Sequence, residues 1–278
     1  MKAMKRLAMI LTSAALVGAF SLTSCDKTDD AENLLTEFSQ DDDEVASYFE
    51  DVYEETEEVT NPETGTKSME VEFTGSGTRN IETTFSGDTI IRTVTYNNFV
   101  NGNAQRQRTK NGQVIMKTIH NQYPGEYKRI VTMNNFTING NKIEGEKVIV
   151  RSAQNQYQFT VTLTNGKITF TDGTQYTREF TRTRTWASGY ATPYFIWDDE
   201  FEVEGVSTGV NRNGKTYTHQ ITTPLYIKNA CRWIVSGTID LTVDAKSATI
   251  DYGDGTCDAK ATVTMNGETV EINLRAGM

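Results

Sequence analysis

Long apolar runs, histidines and prolines are scarce in this chain of 278 residues. After residue 24 no apolar run approaches transmembrane length, so we expect a soluble body. The only histidines are His120 and His219, and neither stands in a metal-ligand spacing such as His-x-x-x-His. A nucleophile elbow and a phosphate-binding glycine loop are also missing. We therefore predict a protein that is not an enzyme and that uses no cofactor and no metal.

Basic residues are too few and too dispersed for a nucleic-acid footprint, and the formal net charge is −10. The acidity is local. Residues 26–72 carry eighteen Asp and Glu against Lys27 and Lys67, a net charge of −16, whereas residues 73–278 carry nineteen acids against twenty-two Lys and Arg. We predict no nucleic-acid partner and a nearly neutral body behind an acidic N-terminal stretch.

The first 24 residues have the parts of a secretory signal. A short apolar run at 7–20 follows three positive charges, Lys2, Lys5 and Arg6. The stretch Leu22-Thr23-Ser24-Cys25 resembles the bacterial lipobox, in which the cysteine is lipidated and the chain is cut before it. An ordinary signal beside an unrelated cysteine is the alternative. The lipobox interpretation predicts a membrane anchor on Cys25 and an outer-membrane lipoprotein whose body faces the periplasm or the cell surface.

Residues 25–68 are predicted to form an acidic tether with short helices. Apolar side chains at helical spacing support a helix there: Val45, Phe49, Val52 and Tyr53. The acidic run at 41–44 lacks the alternating ligand spacing of a calcium loop, so a solvated linker is the favoured interpretation.

From residue 69 to residue 278 the apolar pattern changes to period two, which predicts antiparallel β-structure. Turn signals punctuate it: Asp172-Gly173 and the Asn-Gly pairs at Asn101, Asn111, Asn139, Asn165, Asn213 and Asn266. The predicted fold is all-β, an extended hairpin or meander assembly that is either sandwich-like or a single curved sheet.

Folding the strands back about these turns predicts their register. Around Asn266-Gly267, Val263 faces Val270, and around Asn165-Gly166, Leu163 faces Ile168. The segment 92–99 also reappears as 129–136, which indicates duplicated hairpins within one sheet.

One predicted strand, Tyr176 to Trp186, places a row of arginines and aromatics on one face. Its candidate binding residues are Arg178, Arg182, Arg184 and Trp186. Guanidinium groups pair with carboxylates and sulfates, so the row is suited to an acidic glycan. The favoured alternative is a cross-strand ladder in which a hairpin centred on Ala191 sets the arginines against Asp198, Glu200 and Glu204.

Cys231 and Cys257 form an even pair in an exported chain. A hairpin turning at residues 244–246 brings the two thiols together, which predicts a disulfide; two buried free thiols are the alternative. The acids of residues 251–258 are those of a bulged turn more than of a metal loop.

Several strings in the second half carry a resemblance to a known group of proteins. They include Thr-Arg-Thr-Arg-Thr-Trp at 181–186, Cys-Arg-Trp-Ile-Val-Ser-Gly-Thr at 231–238 and Asp-Tyr-Gly-Asp-Gly-Thr-Cys-Asp at 251–258. In this order they look like an uncharacterised lipoprotein family of Bacteroidota. The resemblance implies an exported location and a β architecture, and it implies no activity.

These observations predict a non-enzymatic envelope or cell-surface protein that binds a glycan or another protein. A structural lipoprotein that docks on an outer-membrane partner is the alternative, and a polysaccharide hydrolase is a weaker one.

Overall fold

The computed structural model describes residues 76–101, 107–120, 127–151, 155–192, 196–231 and 233–274, together with Val45, Tyr48, Phe49 and Val52. The predicted turn at Asn101-Gly102 continues outside the described residues, and Cys25 and Tyr53 also lie outside them. Within the described part of the chain, no helix is long and apolar enough to cross a membrane.

In the described part of the chain, thirteen antiparallel strands form a single sheet that is not closed, and each strand pairs with its neighbours in the sequence. This confirms the all-β prediction and selects the single sheet over the sandwich. A short 3-10 helix, Ile196–Asp198, lies between β7 and β8. The strands are β1 Thr78–Ser86, β2 Thr89–Asn101, β3 Arg108–His120, β4 Tyr127–Ile138, β5 Asn141–Arg151, β6 Gln158–Thr169, β7 Gln175–Ser188, β8 Glu200–Val210, β9 Thr216–Lys228, β10 Ile234–Val243, β11 Lys246–Asp254, β12 Lys260–Met265 and β13 Glu268–Asn273.

Two of the predicted Asn-Gly turns are tight hairpin turns. Asn139-Gly140 joins β4 to β5 and Asn266-Gly267 joins β12 to β13, and all four residues have positive φ. Asparagine and glycine adopt this backbone conformation at low cost, as a type I′ turn requires. Around Asn266-Gly267 the predicted register is confirmed, because Val263 pairs with Val270.

Two other Asn-Gly pairs are not turns, and this part of the prediction is wrong. Asn111-Gly112 lies inside β3 and Asn165-Gly166 lies inside β6, where the register shifts. Leu163 consequently does not face Ile168; the two side chains point to the same face of one strand. Positive φ serves a β-bulge as well as a turn, so the dipeptide alone does not distinguish them.

The repeated segment corresponds to a repeated structural feature. Asn98 in β2 and Asn135 in β4 are the second asparagines of the two copies, and both have positive φ, at 47° and 49°. Each lies beside a glycine whose added Cβ would stand 2.0 or 2.1 Å from the asparagine carbonyl oxygen, Gly77 for Asn98 and Gly112 for Asn135. The duplication is therefore a duplication of bulged strands, which bend and twist more strongly than regular ones.

The hydrophobic core covers one face of the sheet, called here the inner face. Its side chains alternate with exposed ones along the strands and match across the ladders, as Val94 with Val114 and Ile250 with Val263 do. Four helical residues that precede the sheet belong to the same core: Val45, Tyr48, Phe49 and Val52. Val45, Phe49 and Val52 of the predicted helical stripe thus pack in the core of the sheet, because their apolar side chains have an apolar face to bury.

Cys231 and Cys257 form a disulfide with a Cα–Cα distance of 5.8 Å. The hairpin of β10 and β11, which turns at Asp244-Ala245, brings the two cysteines together as the sequence predicted. On the chain-entropy model, cross-linking residues at this separation contributes about 3 kcal/mol to the free energy of unfolding.

Candidate binding face

All four predicted binding residues lie on the inner face of β7. The ladder from β6 to β7 pairs Phe159 with Arg184, Val161 with Arg182 and Leu163 with Phe180. The arginines are therefore inserted into the apolar face of the sheet, and their neighbours on β6 are core side chains.

The predicted charge ladder between β7 and β8 is wrong. Arg184 pairs with Val203 and Arg182 with Gly205, whereas Glu202 and Glu204 pair with threonines. The assumed hairpin centre is displaced because the connection between the strands is asymmetric and includes the 3-10 helix. The true register differs from the predicted one by an odd number of residues, which moves every β8 carboxylate to the outer face.

Arg178 is part of the core and is not open to a ligand. Its side chain is only 3% exposed, and its Nε donates a hydrogen bond to the Tyr217 hydroxyl at 3.2 Å. Its guanidinium carbon lies 5.8 Å from the Tyr176 ring centroid and 6.0 Å from that of Tyr217. Cation–π contacts of this kind offset part of the cost of burying the charge.

Arg182 lies in the middle of the row. Its Nη2 donates a hydrogen bond to the Ser207 hydroxyl at 3.1 Å, and its guanidinium carbon is 4.8 Å from the Phe180 ring centroid. Burial, together with the charges of Arg182 and Arg178, lowers the pKa of His219 to about 3. Protonation of His219, which would add a further positive charge beside these two arginines, is strongly disfavoured.

Arg184 and Trp186 lie at the C-terminal end of β7, away from Arg178. There they form an aromatic–arginine cluster with neighbours from three parts of the chain. The cluster comprises Tyr157, Phe159, Arg184, Trp186, Tyr190 and Phe201. Its rings are in contact: Tyr190 lies 4.6 Å from Tyr157 and 5.5 Å from Trp186, and Trp186 lies 5.3 Å from Phe159 and 5.1 Å from Phe201. The Arg184 guanidinium carbon stands 3.6 Å from the Phe201 centroid.

Two hydrogen-bond donors in the cluster are buried without an acceptor among the described residues. Neither Nε of Arg184 nor Nε1 of Trp186 has a hydrogen-bond partner among the groups that the structure describes. A buried polar donor of this kind costs free energy until an acceptor is supplied. Tyr157, at the outer end of the cluster, is 44% exposed. The arrangement suits a ligand with acceptor oxygens and a face on which aromatic rings can stack.

Sequence reasoning missed most of this cluster. Tyr157 joins it because its carbonyl oxygen accepts a hydrogen bond from the Trp186 amide at 2.8 Å, which only the β6–β7 register reveals. Arg151 supports Tyr190 by donating a hydrogen bond from Nη2 to the hydroxyl at 2.5 Å. The only available signal was the pair of aromatics at 157 and 159, which by itself is typical of any buried strand.

Glu200 in β8 and Asp254 in β11 have structural contacts. Glu200 accepts a hydrogen bond from the Tyr226 hydroxyl at 2.5 Å, which with burial raises the pKa of Tyr226 to about 12. Asp254, in the predicted bulged turn, accepts hydrogen bonds from the hydroxyl and amide of Thr256, and these lower its pKa. Among the described residues, no three His, Cys, Asp or Glu side chains come together in a way that could hold a metal ion.

Fold and site together define the class of this protein: an all-β chain with one sequential meander sheet and an arginine-bearing inner face. No protein-family model, no curated protein and no solved structure matches the chain.

Proposed function

We propose that this chain is a lipid-anchored, non-enzymatic protein of the cell envelope that binds an anionic glycan at the aromatic–arginine cluster. The observation that carries the proposal is the pair of buried donors on Arg184 and Trp186, set among stacked rings. Carboxylate or sulfate oxygens would satisfy the donors, and sugar rings would stack on Tyr157 and Trp186. The resemblance to exported Bacteroidota lipoproteins is consistent with this role.

Replacing Arg184 by glutamine is expected to weaken retention of an anionic polysaccharide by about 10- to 100-fold, since a hydrogen bond to a charged group contributes about 1.5–3 kcal/mol. The probes are polygalacturonate and heparin, with neutral dextran as the comparison, measured by affinity electrophoresis of the full mature chain. Trp186→Leu should lower the affinity for the same probes, because it removes both the ring and the indole donor.

Arg212→Gln is the matched control. Its guanidinium also stacks on a ring, 3.9 Å from the Phe170 centroid, but it is ion-paired with Asp172 at 2.5 Å. Retention should therefore be unchanged in this variant. Equal loss of retention in the Arg184 and Arg212 variants would show that the chain binds polyanions through general charge and not at the cluster.

The anchor is tested separately from the ligand. A Cys25→Ala variant is expected to leave the membrane fraction and to appear as soluble protein, because it removes the only thiol that the lipobox resemblance assigns to lipid. Metabolic labelling with a palmitate analogue should be lost in the same variant. Protease treatment of intact cells then distinguishes a surface-exposed body from a periplasmic one. Continued labelling of the Cys25→Ala variant would contradict the proposed anchor.

A structural role on an outer-membrane partner is the second candidate, and one observation favours it. On the inner side of β1, the first strand of the described sheet, Phe85 is 75% exposed and Ile81 is 48% exposed. Exposed apolar groups on an edge strand are typical of surfaces that pair with another protein.

A further inference from the structure

Among the described residues, the inner face of the first seven strands carries positive charge only. Its register positions hold ten basic side chains: Arg79, Arg92, Arg108, Lys110, Arg129, Lys147, Arg151, Arg178, Arg182 and Arg184. The acidic residues of the same described strands lie on the outer face: Glu82, Glu144, Glu146 and Glu179. The sheet therefore separates its charges by face.

Several of these cations are deeply buried. Lys110 is 2% exposed and Lys147 is 4% exposed, and Arg129 is also buried. None of the three lacks an interaction partner. A buried charge is tolerated only when an opposite charge and hydrogen bonds compensate its lost hydration. The described part of these strands offers no acid on this face, so any opposite charge that compensates these cations comes from another part of the chain.

The segment that precedes the sheet reaches this face. Val45, Tyr48, Phe49 and Val52 are buried in the same core cluster as Val94 and Val131. The Tyr48 hydroxyl accepts a hydrogen bond from Asn141 Nδ2 at 2.7 Å. The Arg108 guanidinium carbon lies 4.6 Å from the centroid of the Tyr48 ring.

The same segment is the most acidic part of the sequence. Residues 41–58 contain ten Asp and Glu and no Lys or Arg. Residues three or four apart share one side of a helix, so acids at these spacings from the buried stripe are the ones we expect nearest the sheet. Glu44 precedes Tyr48 by four residues, Asp51 follows it by three, and Glu55 follows Val52 by three.

We propose that the acidic segment 41–58 is the intramolecular partner of the cationic inner face, with Glu44, Asp51 and Glu55 supplying the opposite charge for its buried cations. The segment is then part of the folded domain and not a free spacer. It also excludes external anions from the middle of the inner face, which leaves the aromatic–arginine cluster at the far end of β7 as the place where an anionic ligand binds. The pairing itself does not depend on the proposed function.

The test compares two triple variants of the full mature chain with the same change in charge. Glu44→Gln, Asp51→Asn and Glu55→Gln remove three acids that stand three or four residues from a residue of the buried stripe. Asp43→Asn, Glu50→Gln and Glu54→Gln remove one Asp and two Glu, none of which stands three or four residues from a residue of the buried stripe. The first variant should lose about 10 °C or more of melting temperature, and the second about 2 °C or less. Equal losses would overturn the proposal.

A second measurement remains available where the first triple variant does not fold. Lys147→Met replaces a buried cation by an apolar side chain of similar length. The substitution is made in the wild-type chain and in each of the three single variants Glu44→Gln, Asp51→Asn and Glu55→Gln. If these acids compensate Lys147, the substitution should raise the melting temperature in at least one acid-neutralised background relative to its effect in the wild type. The same effect of Lys147→Met in every background would overturn the proposal. Neither measurement uses a glycan, so a failed glycan experiment leaves this inference intact.

Discussion

Replacing Gly112 by alanine is expected to lower the free energy of unfolding by about 4 kcal/mol. Gly112 has φ +89°, and an added Cβ would stand 2.1 Å from the carbonyl oxygen of Asn135 and 2.8 Å from the Cα of Phe136. Both are backbone atoms, so two adjacent bulged strands would have to separate to accommodate one methyl group. The cost combines backbone strain with overpacking, each about 1–3 kcal/mol.

Gly173→Ala is the control for backbone strain alone. Gly173 has nearly the same φ, +86°, but no atom lies within 4 Å of an added Cβ. It should lose only about 1 kcal/mol, the lower end of the cost of a positive φ in a non-glycine residue. Urea unfolding of both variants measures the difference. Similar losses in the two variants would mean that β3 and β4 do not approach each other as closely as the structure shows.

His219 is expected to make the protein acid-sensitive. Burial and the nearby Arg182 and Arg178 lower its pKa from 6.5 to about 3. The folded state therefore binds fewer protons at this site than the unfolded state between these two pH values. Stability rises with pH wherever the unfolded state binds more protons, so this contribution is complete above about pH 6.5 and is lost as the pH falls toward 3. A shift of this size corresponds to at most about 5 kcal/mol.

The measurement is the free energy of unfolding from pH 7 to pH 4 for the wild type and for His219→Gln. The variant cannot take up the proton, so its stability should fall less steeply with acid, even if it is less stable at neutral pH. Carboxylates titrate in the same range in both proteins and cancel in the comparison. Parallel pH profiles would contradict the placement of His219 beside Arg182 and Arg178.

The sequence correctly predicted those local features whose pattern is compatible with only one structure. Period-two alternation predicts strands, because a sheet with one buried face admits few other patterns. The Asn266-Gly267 turn also predicted its register correctly, since β12 and β13 contain no bulge between Lys260 and Asn273. Where a bulge intervened, as at Asn165-Gly166, the same dipeptide indicated the wrong structure.

The candidate site shows the same limit. The row of arginines on one face of a strand was evident from alternation, but what lies opposite each arginine was not. One odd shift of register replaces Asp198, Glu200 and Glu204 opposite the arginines by Val203, Gly205 and Gly209. Trp186 and Arg184 form a cluster with Tyr157, Tyr190 and Phe201, which come from three other segments of the chain. No local sequence pattern predicts that these side chains come into contact.

The sequence by itself determined the strand-rich character of the chain, the even pair of cysteines and the separation of an acidic segment from a nearly neutral body. These follow from composition and short-range periodicity, which do not depend on how strands pair. Only the tertiary structure decided which Asn-Gly pairs are bulges, which face the β8 acids occupy, and that Val45 and Tyr48 belong to the core. The first two depend on register, because in a sheet a shift of one residue moves every side chain to the other face. The third depends on an apolar sheet face against which the helical residues pack.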